Sequence, residues 1–134
     1  MFKLSKKTEY AILALQYMTS NPHKNVVTVR EIADFHNISL TLLAKILQVL
    51  ARKKIIESVQ GSQGGYSLRQ SAKKISLARI MEAIEGPIHI TDCHHDANCC
   101  VRTDNCTLRE RLVPVQIGLV QHLNNITLAD FIKE

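Results

Sequence analysis

All four cysteines of the chain fall in one polar segment, DCHHDANCCVRTDNC, from Asp92 to Cys106. Thiolate sulfur is a soft donor, so clustered thiols cross-link, bind zinc or hold an iron–sulfur cluster. Cross-linking fits poorly. Cys99 and Cys100 are neighbours, and a bridge between neighbours is strained. Zinc sites commonly pair their ligands about two to four residues apart. No Cys-x-x-Cys occurs here, and the gaps are wide. Cys93 with His94 or His95, plus Cys99 and Cys106, could still wrap zinc, which makes zinc the lesser expectation and a cluster the greater. His94 and His95 otherwise read as solvated loop residues. A metal-free thiol switch through Cys99 and Cys100 is the remaining alternative.

The elements around this segment follow from periodicity and capping. YAILALQYM is apolar nearly all round and predicts a buried helix from Ser5 to about Ser20, ended by Asn21–Pro22. VTVREIADFHNIS predicts an extended piece, then a helix from about Val29 to His36 with Val29, Ile32, Ala33 and His36 on one face. After a turn at Asn37–Ile38, Ser39 can cap a helix running to about Lys53. Leu43, Ile46, Leu47 and Leu50 form its core stripe, while Thr41, Lys45, Gln48 and Arg52 form a polar, cationic ridge. Two helices joined by a tight turn, the second with a basic outer face, are the parts of a helix-turn-helix. Ile55 to Gln60 and Gly65 to Arg69 then read as a hairpin around Gly61-Ser62-Gln63-Gly64. Helix, turn, helix, hairpin is the order of a winged helix. A further helix is capped by Ser76, stapled by Ile75 and Ile80, lined by Leu77, Ile80, Met81 and Ile84, and stopped by Gly86–Pro87. Beyond the cysteines, Thr107 and Glu110 predict a capping box. Leu108, Leu112, Val115, Leu119 and Leu123 predict one apolar side of the helix that follows, which Pro114 should kink or divide. Thr127 and Asp130 could cap a last turn that buries Leu128, Phe131 and Ile132.

The expected fold class is therefore mainly α, a winged helix-turn-helix with a two-stranded wing and a long C-terminal helix. With 134 residues and no linker or repeat, a single domain is expected. Its DNA-binding part would span about 1–86, the cysteine loop 87–106, and the dimerisation helix and tail 107–134. The charge of +5 suits a polyanion, and Lys45, Arg52, Lys53, Lys54, Arg69, Lys73 and Lys74 all lie in the middle third. No apolar run reaches membrane-spanning length, and no cleavage site follows Tyr10–Met18. A cytoplasmic location is expected, where the glutathione pool also disfavours disulfides. No phosphate loop, nucleophile elbow or paired carboxylates suggest an enzyme or a small-molecule substrate. The expected partners are operator DNA and a second copy of the chain, since one helix in one groove reads few bases. A non-DNA protein-docking module is the alternative of a different class.

Several segments carry a resemblance: KLSKKTEYAILAL, IADFHNISLTLLAKILQVLARKKIIESVQGSQGGYSL, ISLARIMEAIEGP and LNNITLADFI. Together they resemble the winged-helix transcription regulators that sense iron–sulfur clusters or nitric oxide, typified by IscR and NsrR. The resemblance implies a homodimer whose loop cysteines hold a 2Fe–2S or 4Fe–4S cluster. Three cysteines ligate in that family, usually with five residues between successive ones. Here Cys93 and Cys99 enclose five residues and Cys99 and Cys106 six, or Cys100 and Cys106 five and Cys93 and Cys100 six. Cys93 and Cys106 are thus implied, with Cys99 preferred and Cys100 its alternative. The histidine that some members carry three positions beyond the last cysteine is replaced by Arg109, which cannot donate to iron. Other members use an acidic residue of the partner subunit's first helix, matched here by Glu9. One branch uses a histidine just before the recognition helix, matched by His36. Toward DNA, the resemblance implies Ser39, Leu40 and Thr41 at base edges, Lys45 and Gln48 at bases or phosphates, and Arg52 at phosphate. The family's wing has arginine at the place of Gln60 and Pro-Gly at Ser62-Gln63. Gln60, Ser62 and Gln63 are therefore expected to make polar rather than cationic contacts, with Tyr66 closing the Gly-Gly-Tyr motif beside them.

Overall fold

The computed structural model describes residues 3–62 and 64–132, with the side chains of His95, Ala97 and Thr103 outside the description. The first helix, α1, spans Lys6–Ser20. Ser5 caps it, its Oγ accepting the Thr8 amide at 3.2 Å. Ala11, Ala14 and Leu15 are fully buried, which suits a helix apolar on most of its circumference. Helix α2, Val29–His36, starts with a reciprocal capping box. Thr28 Oγ1 accepts from Glu31 N at 3.1 Å, and Glu31 Oε1 accepts from Thr28 N at 3.5 Å. Lys24 Nζ adds an ion pair to the same carboxylate at 2.8 Å. That ammonium, aided by the Thr28 hydrogen bonds, holds the Glu31 carboxyl below its ordinary range despite partial desolvation.

Asn37 closes α2 with a left-handed φ of 54°, a conformation asparagine tolerates. Ser39 then caps α3, Leu40–Arg52. Leu43, Ile46, Leu47 and Leu50 face the core as predicted, and Thr41, Lys45, Gln48 and Arg52 face solvent. Two strands follow, β1 Ile56–Val59 and β2 Gly65–Leu68, paired antiparallel with Ile56 opposite Leu68 and Val59 opposite Gly65. The root of this hairpin is braced by Arg79, which donates to the Lys54 carbonyl at 3.2 Å and to Gln70 Oε1 at 2.7 Å.

The extended piece before α2 docks on the wing. Val27 and Tyr66 exchange backbone hydrogen bonds of 2.9 and 2.8 Å. A side chain at Gly65 would collide with the Val27 carbonyl oxygen, so glycine is what allows this approach. Helix α4, Leu77–Glu85, is capped by Ser76, and Ile75 and Ile80 are both fully buried. Gly86 stops it with a φ of 86°.

Past α4 the chain forms a short helix α5, Asp92–His95, two single 3-10 turns at Ala97–Cys99 and Thr103–Asn105, and the long helix α6, Thr107–Asn125. One expectation fails here. Thr107 is already helical, because Cys106 occupies the N-cap, so the Thr107–Glu110 capping box does not form. Of the two effects expected of Pro114, a kink or a division, the division does not occur: α6 continues through it. The apolar stripe also splits: Leu108 is 63% and Val115 54% exposed, while Leu119 and Leu123 are partly covered. The tail returns to the core. Leu77 N donates to Ile126 O and Leu128 N to Ile75 O, each at 2.8 Å, and Asp130 caps the last turn through Thr127 N at 2.8 Å. Leu128 is buried as expected, but Phe131 and Ile132 only partly. The core is thus assembled from α1 to α4, the root of β1 and the tail, and α6 contributes no buried residue.

Candidate functional site

Two surfaces could carry function. The first is the outer face of α3. Burial of one stripe aims the opposite stripe outward, so Thr41, Lys45, Gln48 and Arg52 form an exposed row about 16 Å long at 1.5 Å per residue. Ser39 and Leu40 are exposed at its N-terminal end, with Ser39 Oγ engaged at 3.4 Å in the cap bond to Leu42 N. Neither Lys45 nor Arg52 makes an ion pair among the described residues. Gln60 and Ser62 are exposed at the hairpin tip, and Gln63 lies outside the described residues. Tyr66 is placed differently from the rest of this set. It is half-buried and packs against the core while its backbone ties β2 to Val27. Elsewhere on the surface, Phe35 is 69% exposed at the end of α2, its ring 5.0 Å from that of Tyr17. Nothing in the local pattern set Phe35 apart from a core aromatic.

The second surface is the segment between α4 and α6. Gln116 of α6 anchors its start, donating to the Ile88 carbonyl at 2.6 Å and accepting from the Ile90 amide at 2.8 Å. Cys93 is half-buried on α5, and Cys106 is half-buried at the start of α6. Cys99 and Cys100 are exposed between them. All four are free thiols. The Cys99 thiol is held above its ordinary range, first by loss of solvation and then by the surrounding Asp96, Cys93, Asp92 and Cys100. His94 is not a solvated loop residue as expected. It is half-buried, and its Nδ1 lies 2.5 Å from Thr91 Oγ1, which in turn lies 3.0 Å from Cys93 Sγ. The side chain of His95 lies outside the described residues.

The remaining ligand candidates stand on other elements. Glu9 is in the first turn of α1, paired with Lys6 at 2.9 Å. His36 ends α2 against Phe35 and Tyr17, with ring centroids 4.9 and 6.3 Å away. Among the described residues of this one chain, no three histidine, cysteine or acidic side chains converge to hold a metal ion. Donor chemistry is favourable all the same, since soft thiols dominate the segment. Buried groups that await a partner also lie in it: His94 Nε2, and Arg109 Nε on the first turn of α6. The residues therefore fit an anionic, thiolate-ligated group in type and in unmet hydrogen bonding, but not in a converged arrangement.

A family model described as Rrf2, iron-dependent transcriptional regulator, matches residues 4–134. Among solved structures, CymR, the global cysteine regulator of B. subtilis, matches with a TM-score of 0.74 at 21% identity, over 98% of this chain and 96% of its own. IscR of T. potens matches with a TM-score of 0.74 at 24% identity, over 97% and 85%. CymR of Staphylococcus aureus gives 0.72 at 24%, over 97% and 98%. At these identities the likeness shows the fold, which is mainly helical with a two-stranded antiparallel wing, as the sequence predicted.

Proposed function

The chain belongs to the Rrf2 family of transcriptional regulators, and from that premise we propose that it is a homodimeric, operator-binding regulator governed by an iron–sulfur cluster on its cysteine segment. Members of this family are regulators rather than enzymes. No described helix is long and apolar enough to cross a membrane, and a cytoplasmic site of action is part of the proposal.

Cys93, Cys99 and Cys106 are the proposed thiolate donors, with Cys100 as the alternative to Cys99. Glu9 of the second copy and His36 are further candidates carried by the resemblance. When bound, the cluster supplies a redox-sensitive inorganic centre that oxygen, nitric oxide or iron loss can dismantle. The observation that carries this reading is the seating of the two end thiols. Cys93 stands on α5, which packs against α6, and Cys106 begins α6 itself. A group gripping both would fix α5 relative to α6. Helix α6 packs on α4, and α4 packs on α3, so the segment is joined through packed helices to the row that would face DNA. The exposed Leu108 and Val115, which share one side of the helix, make α6 the proposed dimer seam. A dimer reads half-sites at a set spacing, so a shift of α3 on loss of the cluster changes operator affinity.

The test is anaerobic reconstitution with iron and sulfide, followed by iron and sulfide analysis and absorption spectra of the wild type and of Cys93→Ser and Cys106→Ser. The reading expects a coloured wild type and colourless variants. Zinc bound in place of iron would favour the zinc regulator. A colourless protein that undergoes reversible thiol oxidation would favour the thiol switch.

A further inference from the structure

A groove of about 210 Å³ runs along one flank of α3. Leu42, Lys45, Ile46 and Val49 of α3 line it together with Ile84 of α4 and Lys7 of α1. Its place is set by the core, since α1, α3 and α4 pack on one another. Lys7 itself is exposed, but Thr8 beside it and Ala11 one turn on are fully buried, which pins the start of α1 against the bundle. The aliphatic residues make an apolar floor, and the two lysines are the charged groups on it. Neither makes an ion pair among the described residues, whereas Lys6, beside Lys7, is held by Glu9 at 2.9 Å. Two cations with no carboxylate between them give the groove a positive potential, which draws an anion.

The way α3 would enter DNA says which anion. An α-helix with its side chains is about 10–12 Å across, and the major groove is about 12 Å wide. A helix seated there fills the groove, and the two sugar–phosphate strands that wall it pass along its flanks. At 3.6 residues per turn, Leu42 and Val49 lie between the exposed row and the buried stripe of α3, on the side of Lys45. Seating Thr41, Gln48 and Arg52 against the duplex therefore turns this flank, and the groove beside it, toward one strand. Lys45 then stands on one edge of the strand and Lys7 on the other. Deoxyribose presents C–H edges between the phosphates, and Leu42, Val49 and Ile84 offer them an apolar floor.

We infer that Lys7 and Lys45 clamp one operator strand from two helices, each ammonium on a backbone phosphate. Lys7 is then a DNA contact outside both the helix-turn-helix and the wing. The inference rests on the operator-binding reading above and adds α1 to its footprint. It also assigns Lys45 to phosphate, where the sequence left bases and phosphates both open. Contacts of this kind carry no sequence information of their own; they fix the register and orientation of the helix that reads the bases.

The experiment measures binding of the full chain to an operator selected from random sequence, by fluorescence anisotropy between about 50 and 200 mM salt. The wild type is compared with Lys7→Gln, Lys7→Arg and Lys6→Gln. Each phosphate contact adds about −0.9 to the slope of log affinity against log salt, so losing one per subunit of a dimer should make the slope shallower by about 1.8. The salt-induced loss of affinity over that range should then be roughly 12-fold smaller for Lys7→Gln than for the wild type. Lys7→Arg keeps the charge and should keep the slope. Lys6→Gln removes an ammonium that Glu9 already engages and should leave the slope unchanged. A second readout locates the contact: single methylphosphonates, each removing one phosphate charge, are walked along both strands. At one position per half-site the substitution should weaken the wild type and leave Lys7→Gln unaffected. Parallel salt lines for Lys7→Gln and the wild type, or one methylphosphonate profile shared by both, overturn the inference. So does a Lys6→Gln slope as shallow as that of Lys7→Gln, which would reflect the net charge of α1 rather than a clamp. In each of these cases a shallower slope for Lys45→Ala leaves the operator reading standing. A wild type that binds no duplex overturns both.

Discussion

Replacing Lys45 by alanine tests the DNA-facing row in a quantity that structure constrains. Lys45 and Arg52 are the two cations of the exposed face of α3, and neither is engaged in an ion pair among the described residues. In a dimer they offer four phosphate contacts. Each contact releases counterions and contributes about −0.9 to the slope of log affinity against log salt. Four contacts contribute about −3.6 to the slope, a loss of roughly 150-fold in affinity between about 50 and 200 mM salt. Lys45→Ala removes one contact per subunit, leaving about −1.8 from this row and a loss of roughly 12-fold over the same range. The assay is fluorescence anisotropy on an operator selected from random sequence, repeated across the salt series. Parallel salt lines for the two proteins would refute the assignment of Lys45 to phosphate, and a parallel pair for Arg52→Ala would remove the row altogether. A base-reading Lys45 would instead lower affinity for the selected operator while leaving the slope of binding to unrelated duplex unchanged.

Other parts of the structure make separate predictions. Gly65→Ala places a Cβ against the Val27 carbonyl and should cost about 1–3 kcal/mol in urea unfolding. Amide exchange at Val27 and Tyr66 should accelerate with it, and an unchanged midpoint would contradict the close approach. Pro114→Ala restores a helical N–H inside α6 and should raise stability by up to about 3 kcal/mol, read as a higher Tm by circular dichroism. The Glu31 carboxyl titrates lower in the folded chain than its ordinary value of 4.5. Its ion pair and cap therefore stabilise fully above that value, and the stabilisation is lost as pH falls through the folded one. Glu31→Gln should flatten the acid limb of the stability curve below about pH 5, by a modest amount because the pair is partly exposed. A variant with the same acid limb as the wild type would contradict the pairing.

The helices that build the α3 face were legible because their signals are local. Ser39 and Ser76 cap where side-chain oxygen precedes an apolar period, and Leu43 to Leu50 repeats with the helical turn. The hairpin was legible from Gly61, Gly64 and Gly65. What escaped depends on distant partners. The Val27–Tyr66 pairing needs two segments brought together by the fold, so Tyr66 read as a wing-tip residue rather than one packed on the core. The same holds for the clip between Ile75, Leu77, Ile126 and Leu128. At α6 the motif misled, because the helix begins one residue earlier than the Thr107–Glu110 box requires. In the cysteine segment the ligand types were legible, His94 among them, and the burial of His94 was not. Its burial comes from the packing of α5 on α6, which no spacing encodes.

The most direct measurement is operator affinity of one preparation before and after its iron is removed anaerobically by a chelator, with Cys93→Ser/Cys106→Ser as the reference. The expected result is that the loaded protein and the stripped protein differ clearly in affinity, and that the stripped protein matches the double variant whether or not iron and sulfide are offered to it. Identical operator affinity for all three, with the wild type fully loaded, would contradict control of DNA binding by the cysteine segment.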